Sequence, residues 1–237
     1  MNKKLFIALA VLVLVAMACS TTTATPTATP TSIPVTNPTS VPTANPTSGS
    51  TSGNILYQDN FSDSNSGWAH HQTANSTMDY VSGGYHIDVT TTDLMAFATS
   101  GQSFQSNVSI EVDAAKTAGP DDNYLGIICR YQDTDNFYFF AISSDGYAGI
   151  AMYKANSMSV LSGSSFESSS AVNQGAATNH IRADCIGDTL TLYVNGTQVY
   201  SVTDSTFGSG GDAGLLARAN STSGVDILFS NFVVSKP

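Results

Sequence analysis

Charge is scarce in this chain, and basic charge is scarcest. Of 237 residues, 8 are Lys or Arg and 18 are Asp or Glu, a formal net charge of −10. Lys3 and Lys4 sit at the extreme N-terminus; past them, 6 bases against 18 acids leave −12. Nucleic acid and anionic lipid headgroups are held by clustered Lys and Arg, so neither suits the remainder as a direct partner. Glutamate is nearly missing, with only Glu111 and Glu167. No segment of useful length carries the 3.6-residue apolar period of a helix. There is no Gly-x-Ser-x-Gly elbow and no phosphate-binding loop. Ser, Thr, Gly and Asn are abundant instead, the composition of an extracellular β protein.

The N-terminus carries an address. Met-Asn-Lys-Lys is followed by an apolar run over residues 5–16 and then by Ala16-Met17-Ala18-Cys19. A positive start, a short apolar stretch and small residues before a cut form a secretory signal. The run is too short for a comfortable membrane span. Small residues directly before a cysteine resemble the lipobox of bacterial lipoproteins. The resemblance implies a signal peptide over 1–18, cleavage before Cys19, acylation of Cys19, and an extracytoplasmic chain anchored to the cell membrane by lipid. Ser20 rather than Asp follows the cysteine, so retention at an inner membrane has no support in the sequence.

Residues 19–54 form a Thr/Pro/Ser-rich stalk in which Pro26, Pro30, Pro34, Pro38, Pro42 and Pro46 recur every four residues. Each proline fixes φ and pushes its predecessor toward extended geometry. The segment has too few large apolar groups to pack and is expected to be disordered, favouring polyproline II. Fully extended, some 35 residues reach roughly 100 Å.

Residues 55–237 read as one all-β domain. Short β-type runs (55–58, 85–90, 94–99, 108–114, 124–131, 137–143, 147–153, 180–186, 190–195, 198–202, 213–218 and 225–234) are separated by turn signals such as Ser82-Gly83-Gly84, Asp145-Gly146, Gly187-Asp188 and Asn195-Gly196. Apolar residues alternate as Val108, Ile110, Val112, as Ile181, Ala183, Cys185, and as Leu190, Leu192, Val194. Such a period of two indicates antiparallel sheets with one buried side. Leu125, Ile127 and Cys129 share one parity, so Cys129 is expected to point inward like Cys185. Two cysteines in an exported domain read as a disulfide, expected here between neighbouring strands. On that basis Arg130, Gln132 and Arg182 fall on the opposite, solvent-facing side of one sheet.

His180-Ile-Arg-Ala-Asp-Cys-Ile-Gly-Asp-Thr-Leu-Thr-Leu-Tyr-Val-Asn-Gly196 resembles a strand pair of the concanavalin A-like lectin/glucanase and laminin-G-like sandwiches. The opening Asp59-Asn-Phe-Ser-Asp-Ser-Asn-Ser-Gly-Trp68 and the stretches from Tyr124, Asn136, Gly214 and Phe229 fit the same pattern. The resemblance implies an antiparallel two-sheet jelly roll, a fold that hosts lectins, glycosidases and adhesins alike.

A glycosidase on such a fold needs two carboxylic acids across the scissile bond. Laminarinase-like relatives place them as Glu-x-Asp-x-x-Glu or Glu-x-Asp-x-Glu. Glu111-Val-Asp113 begins that pattern, but Ala115 and Lys116 stand where the second Glu would be. Glu167 lies in a Ser-rich loop. The 3-keto-disaccharide hydrolase family shares the general fold, yet no site motif carries over. Zinc spacing is absent around His70-His71. Asp133-Thr-Asp135-Asn136 and Asp121-Asp122-Asn123 are oxygen-rich and suit either calcium or turn capping; no other cofactor is indicated. Binding needs less. Aromatic faces with planar hydrogen-bonders recognise sugars, and Trp68, Tyr147, Tyr153 and Tyr193 with Arg130, Gln132 and Arg182 are the candidates. The expected function is a non-catalytic module meeting polysaccharide or cell-wall glycan. A structural or adhesive protein-interaction domain and a hydrolase are the alternatives.

Overall fold

The computed structural model describes residues 54–237; the signal peptide, Cys19 and the stalk up to residue 53 lie outside the described residues. These hold sixteen strands and no helix. Nine strands make one sheet: β1 (Ile55–Asp59), β2 (His71–Gln72), β3 (Ser76–Val81), β4 (Gly84–Val89), β6 (Val108–Ala118), β12 (Asn179–Ile186), β13 (Thr189–Val194), β14 (Thr197–Thr203) and β16 (Val225–Ser235). Seven make the other: β5 (Leu94–Phe104), β7 (Asn123–Asp133), β8 (Asn136–Ile142), β9 (Tyr147–Lys154), β10 (Ser157–Val160), β11 (Glu167–Ser168) and β15 (Gly211–Ala219). The first sheet runs β14-β13-β12-β6-β16-β4-β3-β2 with β1 also on β16; the second runs β10-β9-β8-β7-β15-β5 with β11 also on β9. All pairings are antiparallel. The domain is therefore the expected antiparallel two-sheet sandwich.

Alternation builds the core. Val108, Ile110, Val112, Ile181, Ala183, Leu190, Leu192 and Val194 from the first sheet meet Leu125, Ile127, Tyr138, Phe140, Ile142, Ile150 and Leu215 from the second, all buried. The turns that join these strands use the residues the backbone demands. Asn195 and Gly196 both have positive φ (51° and 81°), the geometry of a tight hairpin turn between β13 and β14. Ala155 and Asn156 do the same between β9 and β10 without a glycine (49° and 63°). Strands β2, β3, β10 and β11 are additions to the set expected from the sequence.

Cys129 and Cys185 are disulfide-bonded, with Cα atoms 7.0 Å apart. Both are fully buried, as their parity requires. They are not on neighbouring strands: Cys129 belongs to β7 of the seven-stranded sheet and Cys185 to β12 of the nine-stranded one. The bond crosses the interior. Inward parity fixes which way a side chain points, and two inward residues can face each other across a sandwich.

Candidate functional site

The outward side of the seven-stranded sheet is not polar. Ile128, Phe137, Phe139, Ala141, Ala151, Phe166 and Leu216 form a second buried cluster outside the main core, ringed by partly exposed Met95, Phe97, Tyr124, Tyr131, Tyr153 and Val160. Phe137 stacks on Tyr153, its register partner on β9, with centroids 5.5 Å apart, and lies 5.8 Å from Tyr131 and 5.2 Å from Phe97. Phe97 is on β5, with β7 and β15 between it and β8. In a flat sheet, strands three places apart are separated by roughly 14 Å. The meeting of their outward rings means that this face is hollowed and its side chains converge. Tyr147, 42% exposed, and Met158, 39% exposed, extend the apolar surface along β9 and β10.

One end of the hollow is closed by the loop after β10. Its Phe166 packs on Tyr124 at 4.7 Å and lies directly over Gly149, where a Cβ would come within 2.3 Å of the ring. Gly149 is required there for close approach. At the other end Phe97, Tyr131 and Tyr153 are partly exposed with no loop packed over them as Phe166 packs on Tyr124.

A backbone irregularity creates that open end. By strict alternation after inward Cys129, Arg130 would face out and Tyr131 in. Arg130 instead has φ +53°, and the β7–β8 register shifts between Cys129 and Asp133. The bulge swaps the two side chains. Tyr131 joins the outward aromatics, and Arg130, 2% exposed, turns into the end of the sandwich. Its Nε and Nη2 donate to the Ser106 carbonyl at 3.0 and 2.8 Å, Nη1 to that of Phe207 at 2.9 Å, and Nη2 to that of Gly187 at 2.6 Å. Burial holds the guanidinium below its usual pKa. Arg130 is thus not on a solvent-facing surface beside Arg182.

The remaining candidates separate. Trp68, 2% exposed, is core: it packs on Phe61 and Phe232 and donates Nε1–H to the Tyr57 hydroxyl at 3.2 Å. Tyr153 and Tyr147 lie on the aromatic face. Gln132, at the end of β7, donates to the Gly210 carbonyl at 2.8 Å. Arg182 and Tyr193 lie on the outward side of the other sheet, where Arg182 forks onto Asp184 (2.9 and 2.7 Å) and covers the Tyr193 ring at 4.1 Å. Each thus already has a partner within the sheet face, the carboxylate for the guanidinium and the guanidinium for the ring. Of the calcium candidates, Asp133 caps its own turn, its Oδ1 accepting from the Asp135 amide at 2.8 Å and the Asn136 side chain at 2.7 Å, while Asp121 pairs with Lys116 and Asp122 accepts from the Asn220 and Ser221 side chains at 2.7 and 2.8 Å. Among the described residues no group of three or more His, Cys, Asp or Glu is gathered for a metal. Phe97, Tyr131, Phe137 and Phe139 were not among the expected site residues. The signal for them was the absence of alternation in Phe137-Tyr-Phe-Phe-Ala-Ile142, a strand apolar on both sides.

Beside Arg182, His180 joins the two acids of the incomplete glycosidase pattern. Its Nδ1 lies 2.8 Å from Asp113 and its Nε2 3.3 Å from Glu111. Asn231 donates to the second Asp113 oxygen at 2.8 Å. The bonds to Asp113 and then Glu111 raise the His180 pKa to about 9, and the same contact with His180 holds Asp113 below its usual value. A raised histidine pKa stabilises the fold fully below about 6.5, and this contribution is lost as pH climbs through 9. The imidazole is 37% exposed, so solvent screening limits the effect to about 1 kcal/mol. Urea unfolding at pH 6.5 and 9.5 is expected to show that decline in the parent and its absence in His180→Gln. A parent curve flat over this range would remove the ion cluster as a stabilising element.

No family model matches the sequence, and no curated protein matches it. The fold, however, has close counterparts among solved structures. A carbohydrate-binding module, CBM66 from Bacillus subtilis, superposes with TM-score 0.58 at 20% identity over 72% of this chain and 96% of its own. A Bacillus subtilis protein of unknown function with a galectin-like fold gives 0.57 at 9% identity, covering 78% and 96%. An endo-β-galactosidase from Clostridium perfringens that releases GlcNAcα1-4Gal gives 0.54 at 11% identity, covering 78% of this chain and 64% of its own. At these identities the likeness is one of fold.

Proposed function

We propose that the domain is a non-catalytic glycan-binding module, and that the hollowed aromatic face of the seven-stranded sheet is its binding surface. The observation that carries this reading is the second aromatic cluster, built outside the core and left partly open at Phe97, Tyr131 and Tyr153. A second apolar cluster on the outer face of a sheet, with partly exposed rings at its margin, is the kind of surface that meets a ligand. Sugar C–H faces stack on such rings, while the tyrosine hydroxyls and Gln132 offer hydrogen bonds at the edge. The fold shared with a carbohydrate-binding module agrees with this. The full chain, in detergent, is expected to be retained on at least one insoluble polysaccharide or cell-wall preparation. Tyr131→Ala and Tyr153→Ala should each weaken retention about tenfold, the worth of one stacked ring. Arg182→Ala, on the other sheet, should bind as the parent does. Equal retention of all three variants would place the ligand elsewhere, and no retention of the parent on any glycan would end the reading.

The leader and stalk complete the proposal. We infer that Cys19 is acylated after cleavage and that the Thr/Pro stalk holds the module away from the membrane on the outer side. Support comes from the apolar run, the small residues before Cys19 and the proline spacing. Metabolic labelling with a fatty acid is expected in the parent and should be absent in Cys19→Ser; persistent labelling of that variant would remove the anchor.

A further inference from the structure

We propose that the glycan taken by this face carries free amino groups, as a glucosamine polymer does, rather than being neutral or acidic. The proposal rests on the glycan-binding reading and adds the charge of the ligand. The open end of the hollow is bordered by carboxylates. Asp212 is the cross-strand partner of Tyr131, and Asp133 and Asp135 form the β7–β8 hairpin just beyond it. Among the described residues none of these three acids lies within 4.0 Å of a Lys, Arg or His nitrogen. Among the described residues the Asp135 carboxylate accepts no hydrogen bond and Asp133 uses one oxygen to cap its own turn, whereas Asp212 accepts from the Ser100 hydroxyl at 2.7 Å, the Gly101 amide at 2.9 Å and the Ala213 amide at 2.7 Å, so Asp133 and Asp135 are the freer pair.

The arginines are committed elsewhere, and the one lysine near the hairpin points away from this face. Arg130 is buried on three carbonyls. Arg218 pairs with Asp93 at 3.1 Å, and Arg182 with Asp184 on the other sheet. Lys154 follows Tyr153 on β9, so alternation sends it to the opposite side, toward Asp204. Burial and then Asp133, Asp212 and Asp135 raise the Tyr131 phenol pKa, as close negative charge requires. Aromatic rings beside carboxylates that have no cationic partner are the chemistry that holds an ammonium: the ring quadrupole and the anions attract it together. A neutral sugar gains only the rings, and an acidic one is repelled by a domain of net −12.

The test compares binding of the full chain, in detergent, to chitosan, chitin and cellulose at pH 6 and at low and high NaCl. Chitosan is expected to bind about tenfold more tightly than chitin at low salt, with the gap closing as salt rises. Asp133→Asn with Asp135→Asn should close the gap and leave chitin binding unchanged. Tyr131→Ala and Tyr153→Ala should weaken both. Equal affinity for chitin and chitosan, both lost in the tyrosine variants, would overturn the amino-group proposal while sparing glycan binding. Chitosan binding indifferent to the tyrosines would reduce it to attraction between a polycation and an acidic protein, and overturn it too. Binding to no glycan would fell the underlying reading.

Discussion

Arg130→Ala is expected to destabilise the domain by about 3–5 kcal/mol. The guanidinium is the sole side-chain partner of the Ser106, Phe207 and Gly187 carbonyls among the hydrogen bonds of the described residues. Those carbonyls belong to the β5–β6, β14–β15 and β12–β13 connections, so one side chain ties three loops from both sheets at one end of the sandwich. A buried carbonyl stripped of its donor costs ~1–3 kcal/mol. The Phe207 carbonyl is buried and those of Ser106 and Gly187 are half-buried, so one full penalty, two partial ones and the lost packing of a buried side chain give the stated range. For a domain of this size that is a fall in Tm of roughly 6–20 °C. Arg130→Lys should recover only part of the loss, because an ammonium on a straight stem cannot donate in three fixed directions. Arg182→Ala is the control: its carboxylate partner also accepts from Ser109, and its loss should cost about 1 kcal/mol. Differential scanning calorimetry of the three variants decides the matter, and Arg130→Ala melting within a degree of the parent would mean that water replaces the guanidinium without penalty.

The same residue shows where reading the sequence succeeds and where it stops. In Val108–Asp113, Ile181–Cys185 and Leu190–Val194 alternation is unbroken, and each side chain lies on the face its parity assigns. In β7 the parity holds from Leu125 to Cys129 and fails at the next residue, because a non-glycine adopts positive φ there. Nothing local announces this: the bulge is held by carbonyls from three connections distant in sequence. Sheet membership was equally hidden. An inward cysteine on β7 and one on β12 read identically whether their strands adjoin or oppose, since pairing is set by contacts 56 residues apart. β3 escaped notice because Ser76-Thr-Met-Asp-Tyr-Val81 alternates weakly in apolarity, and β10 because its turn, Ala155-Asn156, lacks the glycine that marks such turns. The aromatic face was legible only as a missing polar face on β8. The lipid and stalk signals are linear in the chain and need no partner, which is why they stand out in the sequence.

Removal of the Cys129–Cys185 bond is expected to cost about 4 kcal/mol, roughly a third or more of the stability of an ordinary domain. The reasoning concerns the unfolded chain. Closing 56 residues restricts the denatured ensemble, and in the chain-entropy model a loop of that length is worth about 4 kcal/mol. The position of the bond adds a kinetic consequence. Both sulfurs are fully buried between the sheets, so a reductant reaches them only when the sandwich opens. Under native conditions the bond should therefore resist dithiothreitol for as long as the domain stays closed, and yield quickly in urea. Once reduced, the chain should keep its far-UV circular dichroism, since the sheets retain their packing, while its urea midpoint falls. Cys129→Ala with Cys185→Ala should match or exceed that fall, because two small cavities are left in the core as well. Intact mass after alkylation in urea without reductant gives the direct check: two alkylated thiols would mean that the bond does not form, and an unchanged midpoint after reduction would mean that other contacts already constrain the loop.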